Sequence, residues 1–162
     1  MTKESMIYQL LDELKISYAR LDHEPIFSVI EAAEKGVVLP GQQVKNLFLK
    51  NKKGRQFYLV ILRDEKTADI KHLAEILDEK RLSFANDKEL EELLQVEPGA
   101  VTPFGLLFDK EKKVQLIVDE EVDPNSTVGF HPFVNTTTLN IDYADFLRFL
   151  EKAEHTVKRI RC

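Results

Sequence analysis

Apolar positions along the chain follow two periods in turn. Ile7, Leu10, Leu11 and Leu14 recur at helical spacing, so Met6–Leu14 is expected to be an amphipathic helix. Ser17–Leu21 alternates and reads as a strand. Ser28-Val29-Ile30-Glu31 has the spacing in which a hydroxyl and a carboxylate satisfy each other's open amides, and a short helix from Val29 to about Lys35 should stop at Gly36. Val44–Leu49 and Gln56–Leu62 are apolar strand-like runs joined by Lys50-Asn51-Lys52-Lys53-Gly54-Arg55, which predicts a hairpin. Ile70, Leu73, Ala74 and Leu77 define a further helix, Leu82–Ala85 a short strand, and Asp87 can cap a helix bearing Leu90, Leu93 and Leu94. Gly105–Phe108 and Val114–Val118 read as a second hairpin. Thr127–Phe130 and Phe133–Leu139 add strands, and Asp142 can cap a last helix with Phe146, Leu147 and Leu150 inward.

Strands outnumber helices, and hairpins mix with helical crossovers. The expected architecture is α/β of the α+β type: a curved mixed, largely antiparallel sheet surrounded by helices. With 162 residues and no repeat or linker, residues 1–162 are expected to form a single domain. No apolar run approaches the ~18 residues of a membrane helix. The one cysteine, Cys162, has no partner for an internal disulfide, so a reducing, cytoplasmic setting is expected.

Charge sharpens this picture. Two acid-free segments, Lys50–Arg55 with four cations and Lys158–Arg161 with three, carry +7, so the rest of a chain at −5 carries −12. A protein that coats DNA with its whole surface would be basic. Contact with a phosphate chain is expected only locally, through either basic segment, Lys50, Lys52, Lys53 and Arg55 among them; from charge alone the same residues suit a solvated hairpin tip better.

Three loops have compositions that packing does not demand. In Glu97-Pro98-Gly99-Ala100-Val101-Thr102-Pro103, two prolines brace the amides of Gly99, Ala100, Val101 and Thr102, a row able to stabilise a developing oxyanion or to serve as a plain connection. Gly129-Phe130-His131-Pro132 puts an imidazole at a strand break, with Asn135 and three threonines behind it; an edge strand with a bulge is the alternative. Lys45-Asn46 opens an apolar strand, where a lysine either faces a cleft or reaches solvent over the sheet edge. His23, His72, His131 and His155 have no metal-ligand spacing, so no metal and no cofactor are expected.

In order, His23-Glu24-Pro25-Ile26-Phe27-Ser28, Lys45-Asn46-Leu47-Phe48-Leu49-Lys50, Phe57-Tyr58-Leu59-Val60, Leu82-Ser83-Phe84-Ala85, Val96 to Gly105, and Gly129-Phe130-His131-Pro132 with Asn135-Thr136 resemble the YbaK/prolyl-tRNA-synthetase-associated editing-domain family over essentially the whole chain. The resemblance is to its freestanding deacylases of Ala-tRNA(Pro). It implies a metal-independent hydrolysis of a mischarged tRNA(Pro) in trans, with a ribose hydroxyl assisting water. It also implies partners: the tRNA acceptor end and a prolyl-tRNA synthetase. Lys45 corresponds to the family lysine at the terminal adenosine, Gly99 to Pro103 to the Gly-x-x-x-Pro loop at the aminoacyl carbonyl, and His131 to a pocket histidine. Phe27 and Ile30 fall in the wall of the amino-acid pocket, with Asn46 and Asn135 as supports. Relatives that remove cysteine generally lack the Gly-Phe-His-Pro stretch, which favours alanine. A Cys-tRNA(Pro) deacylase and a non-catalytic tRNA-binding regulator are the rival readings; retention of Lys45, Gly99, Pro103 and His131 speaks against the second.

Overall fold

The structure, a computed structural model, describes residues 1–25 and 41–162. The helix expected at Val29–Lys35 and its Ser28 cap lie outside the described residues. In chain order the elements are α1 (Lys3–Glu13), β1 (Ala19–Asp22), β2 (Val44–Asn51), β3 (Phe57–Arg63), α2 (Ile70–Ile76), β4 (Leu82–Phe84) and α3 (Asp87–Leu94). Two 3₁₀ helices follow at Pro98–Ala100 and Pro103–Phe108, then β5 (Val114–Asp119), β6 (Thr127–Phe130), β7 (Thr137–Asp142), α4 (Tyr143–Lys152) and β8 (Val157–Ile160).

The strands form two sheets. β1-β7-β6 is antiparallel throughout, and β4-β2-β3-β5-β8 pairs antiparallel on the β2 side and parallel on the β5 side. A parallel bridge between Gln42 and Val128 joins the start of β2 to β6. The mixed, mainly antiparallel architecture read from the sequence is therefore present. Side-chain alternation divides the larger sheet between two cores. Phe48, Phe57, Leu59 and Ile61 enter the main cluster with α1, α4 and the inner residues of β6 and β7. Leu49, Tyr58, Val60 and Leu62 enter a second cluster under α2.

Helix ends follow local chemistry. Thr2 caps α1 by accepting from the Ser5 amide, and Asp69 caps α2 by accepting from the His72 amide. For α3 the cap is Asn86 rather than Asp87: Asn86 and Glu89 close a reciprocal capping box. On α4 the inward residues are Phe146, Phe149 and Leu150, whereas Leu147 is exposed.

Two expected hairpin and strand segments fold otherwise. Gly105–Phe108 is 3₁₀ helix, because Pro103 fixes the first turn and the Thr102 hydroxyl accepts from the Phe104 amide. Its apolar run points Phe104 into the core, edge-on to Phe130 and Phe149. β5 consequently pairs in parallel with β3 instead of closing a hairpin. Strand at 133–139 begins only at Thr137, since Pro132–Thr136 is a turn with Phe133 at φ 69°. The acid-free tail contains β8, whose Arg159 donates to the carbonyls of Glu120 and Val122 and lies over Tyr143. His155 is buried beside Asp109, 3.4 Å away, rather than lying free in a tail.

A Cβ at Gly105 would lie 2.5 Å from the Leu94 carbonyl oxygen and 2.8 Å from the Leu94 Cβ, which leaves no room for a side chain. Gly105→Ala should therefore lower stability by about 1–3 kcal/mol, read as a lower urea midpoint at unchanged slope. An unchanged midpoint would mean that α3 and the 3₁₀ helix are not locked together here.

Candidate active site

β2 begins beside β6, and its period of two decides what faces what. Val44 and Phe48 point to the main core. Residues of the opposite parity point away from it: Gln43 lies near Gly129, and Lys45 stands opposite Leu62, a residue of the second cluster's side. On the three-stranded sheet Val128, Phe130, Leu139 and Ile141 are buried in the main core, so Gly129, Thr138 and Asn140 face outward. By parity Lys45 lies on the side of β2 that also carries Gln43, Leu47 and Leu49, and Gln43 reaches the outward Gly129 of the three-stranded sheet. Among the described residues the half-buried Lys45 has no hydrogen bond or ion pair.

Two histidines complete the outer face of the three-stranded sheet, their ring centroids 6.1 Å apart. His131 Nδ1 is 2.9 Å from the Thr137 carbonyl oxygen, and His23 Nδ1 is 2.7 Å from that of Glu24. A carbonyl only accepts, so each neutral ring carries its proton on Nδ1. His23 Nε2 then accepts from the Thr138 hydroxyl at 2.8 Å. His131 Nε2 keeps an uncommitted lone pair. Burial lowers the His131 pKa below its ordinary value, the Thr137 carbonyl opposes that shift, and the His23 charge adds to it. At neutral pH His131 is therefore a neutral acceptor.

The loop carrying His131 is held under strain. Phe133 has φ 69°, a conformation that costs a bulky residue on the order of 1–3 kcal/mol. Its ring is edge-on to Phe108 at 5.8 Å, with the Lys3 ammonium 5.8 Å from its centroid. Asn135, in the same turn, is half-buried and makes no hydrogen bond among the described residues.

The Gly99–Pro103 loop packs from the inner side. Val101 lies against the main core, and Thr102 and Pro103 are buried. The Ala100 amide donates to the Glu97 carbonyl at 2.9 Å, and Thr102 is fully buried. The expected row of four open donors is accordingly reduced to Gly99 and Val101. Among the described residues no hydrogen bond joins this loop to Lys45. Asn46 has the parity of the inner residues, and its buried Oδ1 has no partner. Phe27 and Ile30, the expected pocket wall, lie outside the described residues.

The basic patch is smaller than its sequence suggests. Lys50 is bound to Glu89 at 2.8 Å, so only Lys52, Lys53 and Arg55 are exposed at the hairpin tip. Cys162 is half-buried, and burial pushes its thiol up to about 12, which keeps it protonated and unreactive.

The aminoacyl-tRNA editing domain profile matches residues 23–149, a span that runs from His23 through the outer face into α4. The chain belongs to the aminoacyl-tRNA editing domain family. This editing domain is 34% identical over 160 residues to the prolyl-tRNA editing protein ProX of Acetoanaerobium sticklandii, covering 99% of the chain and 98% of the relative. It is 35% identical over 150 residues to prolyl-tRNA synthetase associated domain-containing protein 1 of Danio rerio, covering 91% of the chain and 81% of that protein. Its fold matches a crystal structure described as a candidate trans-editing enzyme for prolyl-tRNA synthetase, with TM-score 0.68 at 17% identity, covering 100% of the chain and 98% of the other.

Sequence reasoning took in His23 as part of a matching block without giving it a role, named Thr138 only among the threonines behind His131, and passed over Gln43 and Asn140. The period-two pattern signals their common face once the Gln42–Val128 bridge is known. The orphaned Oδ1 of Asn46 is a stability cost that a functional role would explain. Asn46→Leu removes that unpaired acceptor while keeping the volume, so stability measured by urea unfolding should stay level or rise by up to about 1 kcal/mol. A loss of more than about 1 kcal/mol would show that the carboxamide is structurally satisfied.

Proposed function

We propose that this editing domain hydrolyses the ester of mischarged tRNA(Pro), Ala-tRNA(Pro) foremost, acting in trans on tRNA released from the synthetase. The observation that carries this reading is strand parity, which turns Lys45, without a partner among the described residues, and His131, with a free Nε2 lone pair, away from the main core. The near full-length likeness to a prolyl-tRNA editing protein supports the substrate class. Prolyl-tRNA synthetase as a partner and a cytoplasmic setting belong to the same proposal; among the described residues no helix is long and apolar enough to cross a membrane.

An aminoacyl ester is already activated, so its hydrolysis needs positioning and charge stabilisation rather than a strong nucleophile. Proximity contributes on the order of 7–11 kcal/mol and an oxyanion donor about 3–4. In this reading Lys45 binds the phosphate or ribose end of the terminal adenosine. The Nε2 of His131 accepts a hydrogen bond from a substrate N–H or O–H, with Asn135 and Asn46 supporting. The Gly99–Pro103 loop, which packs from the inner side, keeps only the amides of Gly99 and Val101 as open main-chain donors. Water attacks the carbonyl carbon with help from a ribose hydroxyl, the ester C–O bond breaks, and the released ribose oxygen takes a proton. No metal takes part. Selectivity is a matter of size: an apolar pocket separates one methylene by only ~1–3 kcal/mol, so a synthetase built for proline admits alanine, and a second, smaller site must remove it.

The test is a deacylation panel with Ala-, Cys-, Ser- and Pro-charged tRNA(Pro), in buffer and with EDTA. The expected result is release of alanine in preference to the others, insensitive to EDTA, and a loss of at least about a hundredfold in kcat/KM for Lys45→Ala at unchanged Tm. Near wild-type turnover by Lys45→Ala, or no turnover of any charged tRNA by the wild type, would overturn the reading.

The hairpin tip lies about 20 Å along β2 from Lys45, a reach that suits the acceptor strand rather than the terminal adenosine. Replacing Lys52, Lys53 and Arg55 together by Ala should flatten the salt dependence of tRNA binding by about 2–3 in log–log slope. Lys50→Ala should leave that slope alone and cost up to about 1 kcal/mol of stability through the lost Glu89 pair. An unchanged slope in the triple variant would remove the tip from the interface.

A further inference from the structure

We propose that His23 is the positioning partner of His131, both rings being anchored by the Thr137–Thr138 step of β7 so that the Nε2 lone pair of His131 is held toward the substrate. The proposal deepens the deacylase reading and rests on it for the substrate. Its basis is the difference between two similar rings. Both nitrogens of His23 are used within the protein, on the Glu24 carbonyl and the Thr138 hydroxyl. His131 uses one, on the Thr137 carbonyl, and leaves the other free. His23 therefore has no atom left for substrate, and its effect must pass through its neighbour.

The anchoring is dense. The His23 amide donates to the Thr136 carbonyl at 2.8 Å, and the Thr137 hydroxyl donates to Asp22 at 2.8 Å. Three consecutive residues, 136 to 138, thus register the chain at 22–23 against the His131 loop. Thr138 is buried, so its hydroxyl is tied to His23 with little freedom to turn elsewhere. Packing alone would not demand a histidine here, because the ring contacts polar atoms on the outer face.

Among the described residues the charged groups around the pair are few. β1 supplies Asp22 and, bound to it, Arg20; Glu24 follows His23; Lys3 of α1 lies over Phe133; and Lys45 of β2 points away from the main core. The charge of His23 works against protonation of His131, since an imidazolium 6.1 Å away opposes a second one. Removing it lets His131 protonate at higher pH, so the acid limb of activity, where the neutral acceptor is lost, must move to higher pH.

The experiment titrates the imidazole Cε1–H signals of wild type, His23→Gln and Thr138→Val by NMR, alongside pH profiles of kcat/KM on Ala-charged tRNA(Pro). In His23→Gln the His131 titration and the acid limb are expected to rise together. His23→Ala should lose about ten- to a hundredfold in kcat with Tm nearly unchanged, and His23→Gln, able to accept from Thr138, should recover part of it. Thr138→Val combined with His23→Ala should cost little more than either alone. An unmoved His131 titration in His23→Gln, or full activity in His23→Ala, would overturn the proposal. Because the titration needs no substrate, it still decides the pairing if no charged tRNA is turned over, the outcome that would sink the deacylase reading instead.

Discussion

The parallel bridge between Gln42 and Val128 carries the polar face of the three-stranded sheet onto the first residues of β2. From that point alternation does the sorting: Gln43 and Lys45 outward, Val44 and Phe48 inward. A slip of one residue would drive Lys45 into the main core and turn Phe48 toward the second cluster, at a cost of several kcal/mol for the buried ammonium alone. Gly41 helps to fix this register. It sits at φ 72°, and a Cβ there would fall 1.9 Å from the Thr127 hydroxyl and 2.8 Å from the Asn140 carboxamide. No other residue type lets the chain enter β2 so close to β6.

The same alternation explains what could be read from the sequence. β2 and β3 are apolar runs bounded by a turn, and α2 shows Leu73 and Ala74 at helical spacing, so these elements were legible, whereas β7 starts four residues later than its apolar pattern suggests. Pro103–Phe108 was not legible. An apolar run of six residues suits a buried strand and a 3₁₀ turn alike, and the decision lay with Thr102 and with the room left beside Leu94. Asn86 and Asp87 are both short acceptors, so the cap of α3 was ambiguous by one residue. The pairing of Lys50 with Glu89 spans 39 positions and leaves no trace in local composition.

Candidate site residues divide along similar lines. Lys45 and His131 stand in motifs, and the resemblance picked them out; their placement away from the main core came only from strand register. His23 lay in a motif too, but its function depends on two hydrogen bonds to groups that no spacing rule links to it. For the Gly99–Thr102 amides, composition foresaw a braced loop and could not foresee that Ala100 would close a turn on Glu97 or that Thr102 would be fully buried.

Charge is managed differently at Lys45 than elsewhere. Lys50 is held by Glu89, Lys66 by Asp119 and Glu121, and Arg159 by two carbonyls and a tyrosine ring. Each of these cations has its compensation within the fold, as partial burial demands. Among the described residues the half-buried Lys45 lacks one, and burial helps keep His131 neutral. A lone cation beside neutral acceptors attracts an anionic ligand without setting a carboxylate in competition for it. That arrangement fits a substrate with phosphate at one end and a neutral ester at the other. In the proposed reading the phosphate meets the lysine, and the ester lies beside the neutral ring of His131.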